Sequence, residues 1–253
     1  MKNKYYFATT AIVIAFVFIY MFFTQVVILL DPILFPNISL IINAFIESIP
    51  KLFECLWSSC KLLIPGFGLA LISGVTIGVI LGVNPALNKV FKPIIFALNP
   101  IPPSMLTPYL IAIMPTFYLS SVAVIFIGCF WPILGATMSG IVMIDQKFLD
   151  YGKVIELRGM KKLFHILLPA AAPSILSGVK TALNFGFILL AIAEMFATNS
   201  GLGYFIQYYA DFSDYARVIS GIIFMGLFII LIMVIFEKVR NRILFWTLNE
   251  NNK

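Results

Sequence analysis

Charged residues are scarce in this chain. Aspartate, glutamate, lysine and arginine make up 11% of its 253 residues, whereas soluble domains carry about 25%. Hydrophobic residues make up 61%, and the apolar stretches extend over the whole length. A chain of this composition has no water-soluble domain of normal size, so the composition predicts an integral protein with one membrane domain.

Cysteine and histidine are also scarce. Cys55, Cys60 and Cys129 form no CxxC pair, and His165 has no partner at ligand spacing, so we expect neither a disulfide framework nor a metal site. The sequence contains no GxxxxGK[ST] phosphate loop, no GxGxxG fingerprint and no GxSxG elbow. We therefore expect no catalytic residue and no bound cofactor. The basic residues lie beside apolar segments, which argues against a nucleic-acid partner and for membrane lipid.

Six apolar stretches are long enough to cross a bilayer. We place the spans at about residues 5–30, 62–83, 97–115, 121–144, 169–198 and 218–236. The first stretch exceeds the roughly 7 to 15 residues of a signal-peptide core and has no A-x-A site after it, so we predict that it stays as a membrane helix. The mixed interval 31–61 predicts an outer loop that leads into an amphipathic segment.

Three glycines recur every four residues in the second span. Gly74, Gly78 and Gly82 share one helical stripe, which allows a neighbouring backbone to approach closely. This stripe favours packing within the chain over packing between two subunits.

The third stretch is unusually rich in proline. Its five prolines are Pro100, Pro102, Pro103, Pro108 and Pro115. Each removes a backbone donor and clashes with the preceding turn, so a regular helix cannot continue here. Irregular backbone at membrane depth is tolerated inside protein or against a wet cavity, so we predict a broken helix beside a translocation path. Its polar lining would be Asn99, Ser104, Thr107 and Tyr109; the alternative is a loop at the membrane face.

The basic residues are unevenly distributed between the predicted loops. With the amino terminus in the cytoplasm, six spans place 13 of the 17 lysines and arginines on the cytoplasmic side. The positive-inside rule therefore predicts an all-α polytopic protein with both termini in the cytoplasm.

The stretch from Asp145 to Pro173 is the one long polar interval in the chain, with eight charged residues. Phe148, Tyr151, Ile155 and Met160 follow roughly helical spacing, which predicts a short amphipathic helix and then a turn at Arg158-Gly159. Such a helix is either a solvated connection between spans four and five or an apolar surface for a soluble partner.

The same stretch resembles the cytoplasmic coupling loop of bacterial ABC importer permeases, in which a Glu-Ala-Ala motif precedes a glycine and an Ile-x-Leu-Pro sequence. Ile166-Leu167-Leu168-Pro169 matches the end of this pattern. Asp150-Tyr151-Gly152 occupies the Glu-Ala-Ala positions and Glu156 the glycine position, with Gly159 three residues later. The acid is therefore kept, whereas Tyr151 and Glu156 depart from the family pattern.

Three further segments are similar to the sulfonate, taurine and nitrate permeases of this type. They are NPIPPSMLTPYLIAIMP, LPAAAPSILSGVKTAL with Lys180 where arginine is usual, and AEMFATNSGLGYFI, which carries the E-M…GLGY signature. The resemblance covers about residues 64–236.

The resemblance implies an importer with several subunits in the bacterial cell membrane. Two permease subunits, as a homodimer or heterodimer, would join two ABC ATPase subunits, which bind ATP and magnesium, and an extracytoplasmic substrate-binding protein. The residues that it implies for the ATPase contact are Asp150, Tyr151, Gly152, Glu156, Arg158, Gly159 and Pro169. Those that it implies for the outer face are Glu194, Gly201, Gly203 and Tyr204.

Two charges within the fifth span allow alternative roles. Lys180 either extends to the membrane surface or faces the translocation path, where it would attract an anion. Glu194 either caps the turn before Gly201 or contacts the binding protein. The substrate stays open among sulfonates, taurine, nitrate and vitamin precursors, and a stand-alone secondary transporter or channel is the alternative function.

The expected organisation has three parts: an N-terminal helix and outer loop at 1–60, the importer membrane domain at 61–240, and a cytoplasmic tail at 241–253. A membrane-embedded enzyme is disfavoured, because no acid, base and nucleophile face each other at recognisable spacing.

Overall fold

The described residues of the protein are helical. The structure, a computed structural model, describes residues 11–12, 15, 18–26 and 31–248. The ten α-helices among them are α1 Ile38–Val83, α2 Pro85–Leu98, α3 Thr107–Ile113, α4 Phe117–Val142, α5 Gln146–Val154, α6 Gly159–Lys162, α7 Leu168–Ala197, α8 Leu202–Asp211, α9 Tyr215–Ile243 and α10 Phe245–Leu248. Two π-helical turns at Phe22–Val26 and Leu163–Leu167 and a 3-10 turn at Pro103–Leu106 accompany them.

Four of the described helical segments are long and apolar enough to cross a membrane. They are α1, α4, α9 and the segment Gly159–Phe196, which includes all of α7 except its last residue. The bent pair Pro85–Leu98 and Pro103–Ile113 would be a fifth span. The all-α fold is thus confirmed, whereas the predicted first span at 5–30 falls mostly outside the described residues.

Helix α1 is longer than the sequence predicted. It runs unbroken from Ile38 to Val83, through Pro50 and Pro65. Its 46 residues correspond to about 69 Å at about 1.5 Å per residue, over twice the bilayer core of about 30 Å. The expected outer loop therefore shrinks to residues 31–37, and the amphipathic segment is the first half of the same helix.

The glycines of α1 pack against α4 of the same chain. A Cβ atom at Gly78 would lie 2.7 Å from the Cβ of Thr137 and 3.0 Å from the carbonyl oxygen of Leu134. Gly74 and Gly82 meet Ile133 and Ile141 in the same way. The prediction of packing within the chain is confirmed.

Helix α4 packs on α7 along its other side. The Ser174 hydroxyl donates to the carbonyl oxygen of Ala136 over 2.9 Å, and Gly178 faces Ala136 closely enough that a Cβ there would clash. The core of α1, α4 and α7 includes the buried side chains Leu63, Ala70, Val124, Ile125, Cys129, Ile133, Ala182 and Leu190. Helix α9 joins it through Phe228, whose ring lies edge-on to Phe187 at 5.9 Å.

The proline-rich stretch breaks the third predicted span. Helix α2 ends at Leu98, and the chain bends by 79° before the segment Pro103–Ile113. The bend separates the fourteen-residue α2 from the seven-residue α3, so the prediction that no regular helix runs through this stretch is confirmed.

Candidate functional site

Helix α5 has a capping interaction at each end. The Asp145 carboxylate caps the start by accepting from the backbone N–H of Lys147 over 2.9 Å. At the end, the N–H of Leu157 donates to the carbonyl of Gly152 and the N–H of Glu156 donates to that of Lys153. This pair of bonds is a Schellman motif, in which the residue after the cap takes the left-handed conformation. Here that residue is Glu156, with φ of +54°.

The predicted turn therefore starts earlier than Arg158-Gly159. Helix α5 stops at Val154, and Arg158 is the extended residue before α6. Gly159 has φ of +56°, which glycine adopts without a Cβ penalty. The short amphipathic helix is confirmed, with its bounds at Gln146 and Val154.

A close contact fixes α5 against the start of the fifth span. Gly152 is buried, and a Cβ atom at this position would clash with Cδ1 of Ile166 in the π-helical turn. A small residue lets α5 lie this close, because a larger side chain would have to displace the end of the flexible Ile166 side chain. This contact gives a physical reason for the small residue at the position of the second alanine of the family motif.

The apolar side chains of α5 face away from the rest of the chain. The exposed fraction is 61% for Tyr151 and 80% for Val154. Phe148 and Tyr151 also border a cavity of about 900 Å³ between α5, the start of α7 and the end of the chain. The other residues that line it are Asp145, Lys147, His165, Ile166, Pro169, Ala170, Pro173 and Trp246.

Asp150 stands on the polar side of α5. It accepts from Nζ of Lys153 over 2.8 Å and from Nε2 of Gln146 over 3.0 Å. These hydrogen bonds, that of Lys153 first, hold the pKa of the Asp150 carboxyl below its usual value. Asp150 is therefore an anion at neutral pH.

A second group of polar residues joins α1, α7 and α8 at the opposite end of the bundle. The Glu194 carboxylate is fully buried and accepts from the backbone N–H of Gly203 over 2.7 Å. Next to it, the Ser59 hydroxyl of α1 accepts from the N–H of Leu202 over 3.0 Å. Because these N–H groups belong to the first turn of α8, two side chains satisfy donors that the helix itself cannot.

The two glycines of the GLGY segment make room for Glu194. Gly201 has φ of +121°, and a Cβ there would clash with the Glu194 carboxylate. A Cβ at Gly203 would lie 2.9 Å from the Cβ of Glu194. The E-M…GLGY signature thus encodes one packed unit, which we name the α8 latch: Ser59, Glu194, Gly201, Leu202 and Gly203. Tyr204 borders a neighbouring cavity of about 250 Å³ with Ser58 and Ser200.

A known family matches the part of the chain that holds α5, Glu194 and the start of α8. The binding-protein-dependent transport system inner membrane component matches residues 74–244. The chain belongs to this family. It is the permease subunit of an ABC importer and a multi-pass membrane protein, which in bacteria lies in the inner membrane.

Named relatives support this assignment. A Methanocaldococcus jannaschii protein, named for an ABC transporter permease, is 30% identical over 78% of this chain and 76% of its own. The nitrate import permease of Leptolyngbya laminosa is 30% identical over 64% of this chain and 58% of its own. The bicarbonate transport system permease of Synechocystis sp. is 30% identical over 64% of this chain and 58% of its own. The alignments thus span little more than half of the nitrate and bicarbonate permeases.

A solved structure shares the fold. It is that of the MetNI methionine ABC transporter in inward-facing conformations, with a TM-score of 0.67. The match covers 78% of this chain and 98% of that chain at 14% sequence identity.

The permease distributes its predicted path residues unevenly. Asn99 and Tyr109 are exposed and Ser104 is half-buried, whereas Thr107 is buried with its hydroxyl unpaired among the described residues. An apolar cavity of about 510 Å³ lies beside the break, against α1 and α4. The structure thus brings Pro103 to a cavity wall but turns Thr107 into the protein.

Lys180 of the permease has a partner that the sequence analysis missed. Its Nζ donates to Oε1 of Glu237 on α9 over 2.5 Å, and Nη1 of Arg240 donates to the other oxygen over 3.1 Å. Lys180 is thus paired within the chain, and it shares the Glu237 carboxylate with Arg240. The two residues are 57 positions apart, so no helical spacing could have indicated the pair.

Proposed function

We propose that this permease forms the path of an ATP-driven importer for a small oxyanion, which an extracytoplasmic binding protein delivers. The observation that carries the proposal is the exposed apolar face of α5 beside a cavity of about 900 Å³. An amphipathic helix that leaves its apolar face open fits the groove of a partner protein.

The ATPase contact would centre on α5. The exposed Tyr151 supplies an aromatic anchor, and burial of such a side chain dominates the energy of many interfaces. Asp150 adds a fixed negative charge on the adjacent face, while Glu156, Arg158, Gly159 and Pro169 set the course of the chain around it. Gly152 transmits movement, because its contact with Ile166 joins α5 to the fifth span.

The topology that follows from this contact has six spans. Two ATPase subunits would bind ATP with magnesium in the cytoplasm, so α5 and both termini lie on that side, and the α8 latch lies on the outer side. Closure of the ATPases would then move α5 and turn the path outward. A second permease subunit, identical or related, completes the path, and the binding protein docks near Tyr204.

The substrate class is inferred from the relatives. Nitrate and bicarbonate, named in two of them, are both small oxyanions. The sulfonates carried by the other permeases that this sequence resembles also bear anionic oxygens, so we infer that the substrate is an oxyanion.

The proposal is tested by purifying the tagged permease with its complex in a mild detergent. We expect an ATPase subunit to co-purify with the wild-type chain and to be lost when Asp150→Ala and Tyr151→Lys are combined. Phe212→Lys is the matched control, because Phe212 is an aromatic residue at least as exposed as Tyr151, at 70% against 61%, but lies at the α8 end. It should retain the ATPase.

Two results would contradict the proposal. If wild-type chain drives uptake in vesicles without ATP and purifies alone, the permease acts as a secondary transporter or channel. If the α5 variant and the Phe212→Lys control retain equal amounts of ATPase, the contact lies elsewhere.

A further inference from the structure

One face of α7 carries polar side chains that the rest of the chain leaves uncovered. Ser177, Thr181 and Asn184 are all exposed, and their spacing of four and three residues places them on one side of the helix. We name this set the α7 stripe. It spans eight residue positions, about 10 Å along the helix.

The exposed face of α9 shows what a lipid-facing surface of this chain looks like. Between Tyr215 and Phe236 its exposed residues are all aliphatic, namely Ile222, Ile223, Leu227, Ile230, Leu231, Val234 and Ile235. On α7, three of the five exposed residues between Leu168 and Leu190 are polar. Both helices meet the criteria for a membrane span, so the two faces contact different surroundings.

Asn184 is the residue at which the exposed faces of α7 and α9 differ most. It lies sixteen residues after Leu168, about 24 Å along a helix of about 45 Å, and thus near the centre of the span. Within the described residues its side chain has no hydrogen-bond partner. An amide in hydrocarbon without a partner is costly, so polar groups within spans face protein or a wet cavity.

The neighbours of α7 place the stripe in a gap. On one flank Phe187 packs against Phe228 of α9. On the other, Leu189 packs over Gly128 of α4, where Pro103 of the broken segment also approaches. The stripe therefore opens between α9 and the proline-rich break.

Lys180 is the nearest charge on α7, and it does not act as a free cation. Glu237, which also binds Arg240, pairs with it on the α9 side, so the stripe itself offers only hydroxyl and amide groups. Neutral donors can bind the oxygens of an oxyanion, and their weak binding also allows release, as conduction requires.

We propose that the α7 stripe of Ser177, Thr181 and Asn184 is a neutral hydrogen-bonding wall of the translocation path, along which the oxyanion moves through the centre of the membrane. This inference rests on the proposed function and adds the residues that contact the solute.

The experiment measures thiol accessibility in the full transporter complex in inside-out vesicles. Cys60→Ser provides the background, because the other two cysteines, Cys55 and Cys129, are buried. Ser177→Cys, Thr181→Cys and Asn184→Cys are compared with Ile230→Cys on the exposed face of α9. The probe is 2-sulfonatoethyl methanethiosulfonate, a charged reagent that reacts with thiols in water.

We expect the stripe positions to react at least tenfold faster than position 230. Equal rates would overturn the proposal, and so would a disulfide between two copies at position 184 without labelling, because the stripe would then be a dry subunit contact. Co-purification of the ATPase, scored in the same preparations, separates these outcomes from failure of the proposed function. If the stripe positions are labelled but no ATPase co-purifies, the stripe is exposed to water as proposed, and the ATP-driven importer is rejected.

Uptake supplies a second readout with the same matched control. Asn184→Leu should lower the uptake rate at least tenfold, whereas Asn184→Ser and Ile230→Leu should stay within threefold of wild type. Unchanged uptake of nitrate and bicarbonate by Asn184→Leu, in a complex that transports one of them, would overturn the role of the stripe.

Discussion

The two ends of the bundle are built in opposite ways. At the α8 end, polar groups are enclosed by the chain: Glu194 and Ser59 are fully buried and bond to the first turn of α8. At the α5 end, apolar groups are left uncovered, with Val154 and Met143 exposed at 80% and 81%. The first end makes its polar contacts within one chain, whereas the second leaves the apolar face of a helix uncovered.

The difference between the two ends indicates that one stabilises the fold of the chain and the other serves its assembly with a partner. A buried carboxyl group that accepts from a backbone N–H stabilises the fold of its own chain, and removing it leaves a buried donor unsatisfied. Exposed aromatic side chains contribute little to their own fold but much to an interface. Substitutions at the α8 end should therefore change the free energy of unfolding, and those at the α5 end should change partner binding.

The largest expected effect is that of Glu194→Ala. It removes the acceptor for Gly203 and leaves a cavity, so we expect a loss of about 2 to 4 kcal/mol in the free energy of unfolding. The measurement is thermal unfolding of the purified chain in detergent. Glu194→Gln keeps an acceptor oxygen and should lose less than half as much, and Glu54→Ala, an exposed acid on α1, should be neutral.

If Glu194→Ala unfolds like wild type, the α8 end does not stabilise the fold and the contrast with the α5 end is wrong. In that case the latch would not hold α8 in place, and Glu194 would be free to serve the binding-protein contact instead. A normal unfolding temperature together with lost uptake would favour this second role.

Local signals in the sequence predicted much of this architecture. Asp145, the amphipathic spacing after it and the proline cluster at residues 100–115 act on their immediate neighbours, and the structure has α5 and the break where these residues occur. The glycine stripe of α1 was likewise informative, because close helix packing needs small residues at this spacing.

Contacts between distant residues could not be predicted in the same way. Lys180 and Glu237 are 57 positions apart, and Ser59 and Leu202 are 143 apart; only the packing of the spans brings them together. Pro50 belongs to the interval 31–61, where an outer loop was predicted, yet it lies inside the continuous α1. The mixed composition of residues 31–61 predicted an outer loop that leads into an amphipathic segment. Composition alone could not show that Leu52 and Cys55 of this segment pack against α8 and α9.

A smaller effect is expected at the contact between α5 and the fifth span. Gly152→Val places a branched side chain against Ile166, and such overpacking costs about 1 to 3 kcal/mol. We expect this cost to displace α5 rather than unfold the bundle, so uptake should fall while the unfolding temperature changes little. Proteolysis of the loop after α5 measures the displacement.

A compensating change distinguishes this mechanism from general damage. Ile166→Ala removes the atoms that the new side chain would meet, so the double variant should recover most of the uptake. If Ile166→Ala worsens the defect instead, the Gly152 contact does not transmit movement.

The smallest effect is expected at the C-terminal end of α5. Glu156 holds φ of +54°, where a residue with a Cβ costs about 1 kcal/mol relative to glycine. In Glu156→Gly, the amides of residues 156 and 157 should therefore exchange their hydrogens about fivefold more slowly, because both donate to carbonyls of α5. Val154→Gly, inside the last helical turn, should lower the protection.

ATPase retention by the Glu156→Gly variant then tests the role of the side chain. If the variant strengthens this motif yet retains less ATPase, the Glu156 carboxylate itself contacts the partner. If retention is unchanged, only the backbone conformation at this position matters to the partner, and the α5 end differs from the α8 end by its exposed apolar side chains.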